Sequence, residues 1–135
     1  MNSEMVFGIV SNVAVLAWFL LIVFPKSRVT SALVLQPVVP AILSVAYLIF
    51  IVSGADAFAQ GGGFSTLAAV KILFANDNAL LAGWIHYLVF DLLIGTWIVR
   101  DAKGIAHWKL VPVLLLTFLF GPIGWLTYQI QKRVL

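Results

Sequence analysis

There is no cysteine in the chain, so disulfides, thiolate nucleophiles and cysteine-ligated metals are excluded at once. Charge is nearly as scarce, at 10% of residues against about 25% in an ordinary soluble domain. The eight Lys and Arg are scattered between apolar stretches rather than gathered in a patch, which argues against a nucleic-acid partner despite a net charge of +3. No GxSxG, Walker or HExxH sequence occurs. His86 lacks a His or carboxylate at i+3 or i+4 and His107 is expected in a loop, so neither a metal site nor bis-histidine haem is expected, and no cofactor is implied. The start, MNSEM, carries Glu4 but no Lys or Arg. The apolar run behind it is span-length rather than signal-length, so the first helix is expected to remain in the mature protein.

What fills the chain is apolar: 63% hydrophobic residues and a mean hydropathy of +1.11. That composition implies an integral membrane protein whose partner is the lipid bilayer. A length of 135 residues leaves room for one domain of a few spans and for no soluble catalytic domain. The expected architecture is all-α and polytopic, a four-helix bundle with spans over residues 5–24, 32–53, 79–99 and 110–130. Pro25 ends the first span, and Gln36, Pro37 and Pro40 kink the second near its start. The segment 54–78 is the only long connection. Its glycines at 61–63 make a joint, and the apolar stretch after them is too short to cross, so it is expected to be an interfacial or re-entrant helix. Asn76, Asp77 and Asn78 supply caps for the third span. In the fourth, Pro122 is expected to bend the helix while Gly121 and Gly124 permit close packing. Trp108 and Tyr128 are expected in aromatic belts at opposite faces.

Four spans put both termini on one side. Five Lys and Arg then fall in the first and third loops, against three in the long connection and at the C-terminus. That margin places both termini outside the cytoplasm.

The third span, ALLAGWIHYLVFDLLIGTWIVR, carries the ionisable residues His86 and Asp91 in its interior. Such groups lose several kcal/mol of hydration in lipid and mark functional positions by default. Positions seven apart on a helix differ by about 20°, and four apart by about 40°, so Trp84, Tyr87 and Asp91 share one face. His86 points about 140° away from Asp91, along Phe90, Leu93 and Trp97 toward Arg100. A carboxyl, an imidazole, a phenol and an indole in an apolar setting suit proton transfer to an apolar substrate through a carbocation-like state. Asn12 and Gln36 are candidate ligand contacts from the first two spans, and Thr117 from the fourth. The structural alternative is that all of these polar groups fasten helix to helix.

The segments GWIHYLVFDLLIGTWIVRDA (83–102) and TFLFGPIG (117–124) resemble the abscisic-acid-deficient-four-like family of small membrane proteins, associated in plants with neoxanthin formation. The resemblance implies a carotenoid or related isoprenoid ligand and, as the leading activity, redox-neutral isomerisation of an epoxy-carotenoid. Chemistry then assigns Asp91 as acid or cation stabiliser, His86 as base and Arg100 as anchor, with Trp84, Tyr87, Asn12, Gln36 and Thr117 contacting substrate. The rival reading is a non-enzymatic accessory subunit that binds carotenoid or stabilises a pigment–protein complex, within a larger assembly or a homo-oligomer. A small transporter is disfavoured because no inverted repeat is present. Without the plastid transit peptide of plant members, the chain is expected in a bacterial inner membrane or a photosynthetic membrane.

Overall fold

Asn76 opens the longest helix. Its Oδ1 accepts hydrogen bonds from the backbone N–H groups of Asn78 and Ala79 at 3.0 and 3.1 Å, relieving two of the unpaired donors at a helix start. In the computed structural model, which describes residues 2–134, the helices in order are α1 Ser3–Val23, α2 Arg28–Thr30, α3 Val38–Ser53, α4 Asp56–Ala59, α5 Leu67–Phe74, α6 Asp77–Asp101, α7 His107–Phe120 and α8 Pro122–Val134. A π-helical turn, Ser31–Leu35, lies between α2 and α3. There is no strand among the described residues.

Three helical stretches are long and apolar enough to cross a membrane: Ser3–Val23, Arg28–Ala59 and Asp77–Asp101. Their outer faces are apolar too, with Leu16, Ile42 and Val52 each more than 60% exposed, a surface that water would not favour. The second stretch breaks where Gln36 and Pro37 leave helical geometry, as two prolines three apart predict.

Helix α6 is the axis of the bundle. On one side it meets α1 along the stripe Val10, Ala14, Ala17, Trp18 and Leu21, which has the spacing of a single helical face. Gly95 of α6 lets the Trp18 ring lie directly on its backbone. On another side it meets α3 through Leu43 and Phe50, which join Leu81, Ile85 and Leu88 in one buried cluster. The long connection folds back over the start of α6, where Ala57 and Leu73 pack on Ala79 and Phe74 lies against Gly83.

Two sets of contacts define the ends of the bundle. At one end Ser3 Oγ donates to Asn78 Oδ1 at 3.0 Å, and Asn76 Nδ2 donates to Asp56 Oδ1 at 3.2 Å. The N-terminus and the long connection therefore sit together at the start of α6. At the other end His107 Nε2 lies 2.8 Å from the Ile22 carbonyl, and the Arg100 guanidinium donates to the Leu35 carbonyl. These bonds tie the end of α1, the π-helical turn and the start of α7 to the end of α6.

The stretch 110–130 corrects the expectation of a single, bent fourth span. Gly121 has φ +36° and ψ −87°, a left-handed value that side chains resist, and the chain reverses there. Gln131 Nε2 donates to the Lys109 carbonyl at 2.9 Å, whereas 22 residues of continuous helix would hold the two about 33 Å apart. Near the tip, Gly124 lies directly on the Thr117 backbone. Helices α7 and α8 are thus an antiparallel hairpin, and at about 20 Å each neither matches a hydrocarbon core of about 30 Å. Both termini at one end of the molecule, and Trp108 and Tyr128 at opposite ends, are overturned with it. Tyr128 Oη donates to Asp101 Oδ2 at 2.7 Å, and Lys132 Nζ pairs with the same oxygen at 2.5 Å. The C-terminus therefore returns to the end where Trp108 begins the hairpin, opposite the N-terminus.

The contact at Gly124 yields a test. Gly124→Ala forces a methyl into the Thr117 backbone and should cost about 1–3 kcal/mol, read as a lower thermal midpoint in detergent. Gly8→Ala, with open space around it, should leave the midpoint unchanged or slightly raised, because alanine favours a helix interior over glycine.

Candidate functional site

The hairpin tip meets α6 at Asp91. A Cβ placed on Gly121 would strike the Asp91 carboxylate, so the glycine is what allows the carboxyl and the turn to touch. Asp91 is only 6% exposed, and its Oδ2 has no hydrogen-bond partner. An unpartnered polar atom at such a place costs about 1–3 kcal/mol, more for a charged one.

Tyr87, one turn earlier on α6, closes the site from above. Its hydroxyl lies 3.2 Å from the Phe118 carbonyl and 3.1 Å from the Leu119 carbonyl, to which it donates. Those are among the last carbonyls of α7, which a helix terminus leaves without intrahelical partners. Above Tyr87 the aromatic residues form a ladder. The Tyr87 and Trp84 rings lie 5.3 Å apart and those of Trp84 and Phe7 5.4 Å apart, while Trp84 Nε1 donates to Ser11 Oγ at 2.9 Å. The ladder ends in a recess of about 480 Å³ lined by Phe7, Leu80 and Trp84, with Glu4 and Asp77 at its mouth. Because the hairpin stops at Asp91, it leaves this part of α6 uncovered, and Leu80 is half exposed.

The structure thus brings together Asp91, Tyr87 and Trp84, the three residues placed on one helical face. It does not bring the other expected site residues to them. His86 is exposed on the opposite face, its ring 4.6 Å from Phe90 and 5.8 Å from Tyr47. Arg100 is engaged with the Leu35 carbonyl at the far end of α6. Gln36 is exposed at that same end, and Asn12 is exposed on the outer face of α1. Thr117 is buried inside the hairpin, where its hydroxyl donates to the Val113 carbonyl at 2.8 Å. Sequence reasoning gave Gly121 a close-packing role only and missed the carbonyls of Phe118 and Leu119. The signal was present in FGPIG, since a Gly-Pro pair inside an apolar run is turn chemistry. Among the described residues no cluster of His, Asp and Glu is able to hold a metal.

Stability separates the roles of the two polar residues. Tyr87→Phe strips a donor from two carbonyls and should destabilise by about 1 kcal/mol. Asp91→Asn replaces an acid that has an unpartnered oxygen, so its thermal midpoint should equal or exceed that of the parent. A clear fall for Asp91→Asn would make the carboxyl a structural fastening instead.

The family model described as ABA DEFICIENT 4-like matches residues 5–128, a region that contains α6, the hairpin tip and the aromatic ladder. The chain matches no curated protein and no solved structure. By the extent of the family match, the chain belongs to the ABA4-like family.

Proposed function

We propose that the protein crosses a bilayer, in a bacterial inner membrane or a photosynthetic membrane, and isomerises an epoxide-bearing isoprenoid of the carotenoid class within it. The observation that carries the reading is the buried Asp91 carboxyl with a free oxygen, facing a glycine turn midway along α6 and flanked by aromatic rings. Membership of the ABA4-like family, whose plant members are associated with neoxanthin formation, supports the substrate class. Three crossings by α1, the Arg28–Ala59 stretch and α6, with the α7–α8 hairpin entering partway, replace the four expected spans. The short helix α5 lies at the membrane surface over the start of α6.

The chemistry needs one proton given and one taken. The protonated Asp91 carboxyl donates to the epoxide oxygen, the carbon–oxygen bond breaks, and positive charge develops on carbon. The faces of the Tyr87 and Trp84 rings favour that charge. The Asp91 carboxylate then removes a proton from the adjoining chain carbon, whose bonding pair becomes the new double bond. Product and substrate have equal mass, and no electron acceptor is required. His86, on the far face of α6, is assigned no part in this cycle. Arg100 holds the π-helical turn.

Expression in a carotenoid-producing bacterial host supplied with epoxy-carotenoids tests the reading, with pigments of membranes and purified protein followed by chromatography and mass spectrometry. The expected result is a new isomer of unchanged mass, reduced at least 100-fold by Asp91→Asn, the scale of a lost general acid, and kept by His86→Gln. Bound but unaltered carotenoid in both parent and Asp91→Asn would establish the accessory, pigment-binding role in place of the enzyme. A protein that neither binds nor alters pigment would refute the carotenoid assignment.

A further inference from the structure

The hairpin changes the distribution of charge. If residues 110–130 crossed as one helix, Lys132 and Arg133 would lie at the same end as Lys71. Because the chain reverses at Gly121 and Lys132 pairs with Asp101, every Lys and Arg except Lys71 falls at one end of the bundle. Lys26 and Arg28 are in the turn after α1. Arg100, Lys103 and Lys109 are at the end of α6 and the start of α7, and Lys132 and Arg133 close α8. The contacts from His107 to Ile22 and from Arg100 to Leu35 hold these segments side by side. Asp101 is the only Asp or Glu in those segments, whereas Glu4, Asp56 and Asp77 sit at the other end with Lys71.

Some of the cations are occupied: Lys132 with Asp101, Arg100 with a carbonyl, and Lys109 over the Trp108 ring at 5.6 Å. Lys26, Arg28, Lys103 and Arg133 are exposed. The sequence is strongly asymmetric once the fold is known: seven cations to one, where four complete spans gave five to three. Positive residues near span ends are retained on the cytoplasmic side, and the anionic headgroups of that leaflet attract them.

We infer that this basic end is a contact surface for anionic phospholipid headgroups of the cytoplasm-facing leaflet. The long connection and N-terminus accordingly lie on the opposite side, and the C-terminal hairpin enters and leaves from the basic side. The inference rests on the membrane-crossing part of the proposed function and is independent of the pigment chemistry.

Because the chain has no native cysteine, single cysteines report topology directly. Ser65→Cys marks the long connection, Ala106→Cys the α6–α7 turn and Val134→Cys the C-terminus, all at exposed positions. Complete reaction of each after detergent release serves as the control. In intact cells a membrane-impermeant maleimide should label Ser65→Cys only, with the other two reacting once the membrane is opened. Labelling of Val134→Cys together with Ser65→Cys would overturn the inference by making the hairpin a crossing. Labelling of Ala106→Cys and Val134→Cys with Ser65→Cys protected would overturn the orientation.

The lipid contact has its own readout. Native mass spectrometry of protein released from mixed bilayers should show retained phosphatidylglycerol exceeding phosphatidylcholine several-fold, and K26Q/R28Q/K103Q/R133Q should bring the two to parity. An unchanged ratio in that variant would remove the lipid contact. Neither measurement involves pigment, so failure here and failure of the isomerase reading remain distinct.

Discussion

A single backbone reversal at Gly121, with φ +36°, decides where everything after α6 can go. Only a residue without a Cβ adopts that conformation without strain and also tolerates the Asp91 carboxyl against it. The reversal would be of little use without Gly124, whose missing side chain lets α8 lie on the Thr117 backbone. Two glycines around one proline therefore convert an apolar stretch of spanning length into two half-length helices. The return of α8 is then secured at the far end by Tyr128 and Lys132 on Asp101, and by Gln131 on the Lys109 carbonyl.

Breaking a helix in an apolar environment exposes backbone groups that lipid cannot satisfy. The tip answers this only in part. The Gly121 N–H bonds the Thr117 carbonyl at 2.8 Å, and Tyr87 supplies a hydroxyl to the carbonyls of Phe118 and Leu119. Pro122, as the first residue of α8, has no N–H to lose. The group left over is the Asp91 carboxyl. Beside these bonds Asp91 Oδ2 is buried without a hydrogen-bond partner.

Most of the fold could be read from the sequence because hydropathy and length determine helices in lipid. Asn76 caps α6 as its side-chain chemistry requires, and Pro37 breaks the second stretch where its missing N–H dictates. Within α6 the helical repeat placed Trp84, Tyr87 and Asp91 on one face and His86 on another, and that is how they lie. The hairpin could not be read from hydropathy, since two apolar half-helices and one apolar span look alike to it. The contacts that distinguish them, Gln131 to Lys109 and Lys132 to Asp101, join residues more than 20 positions apart. Placement of Asn12, Gln36, Thr117 and Arg100 depended on which helix faces which, and a pattern along one helix carries no such information.

The half-length of the hairpin also shapes the space around Asp91. A full crossing beside α6 would have covered Trp84, Phe7 and Leu80 and closed the recess they line with Asp77. Because α7 stops at Phe120, that half of α6 keeps apolar and aromatic groups open to the side, while the other half is sealed by Leu110, Val113 and Leu114. The open face follows the ladder of Phe7, Trp84 and Tyr87, and the hairpin tip bounds it at Asp91. The turn that packs on the Asp91 carboxyl is also the one that ends α7 there, so the buried carboxyl and the open aromatic face beside it have one cause in the sequence, the glycines of FGPIG.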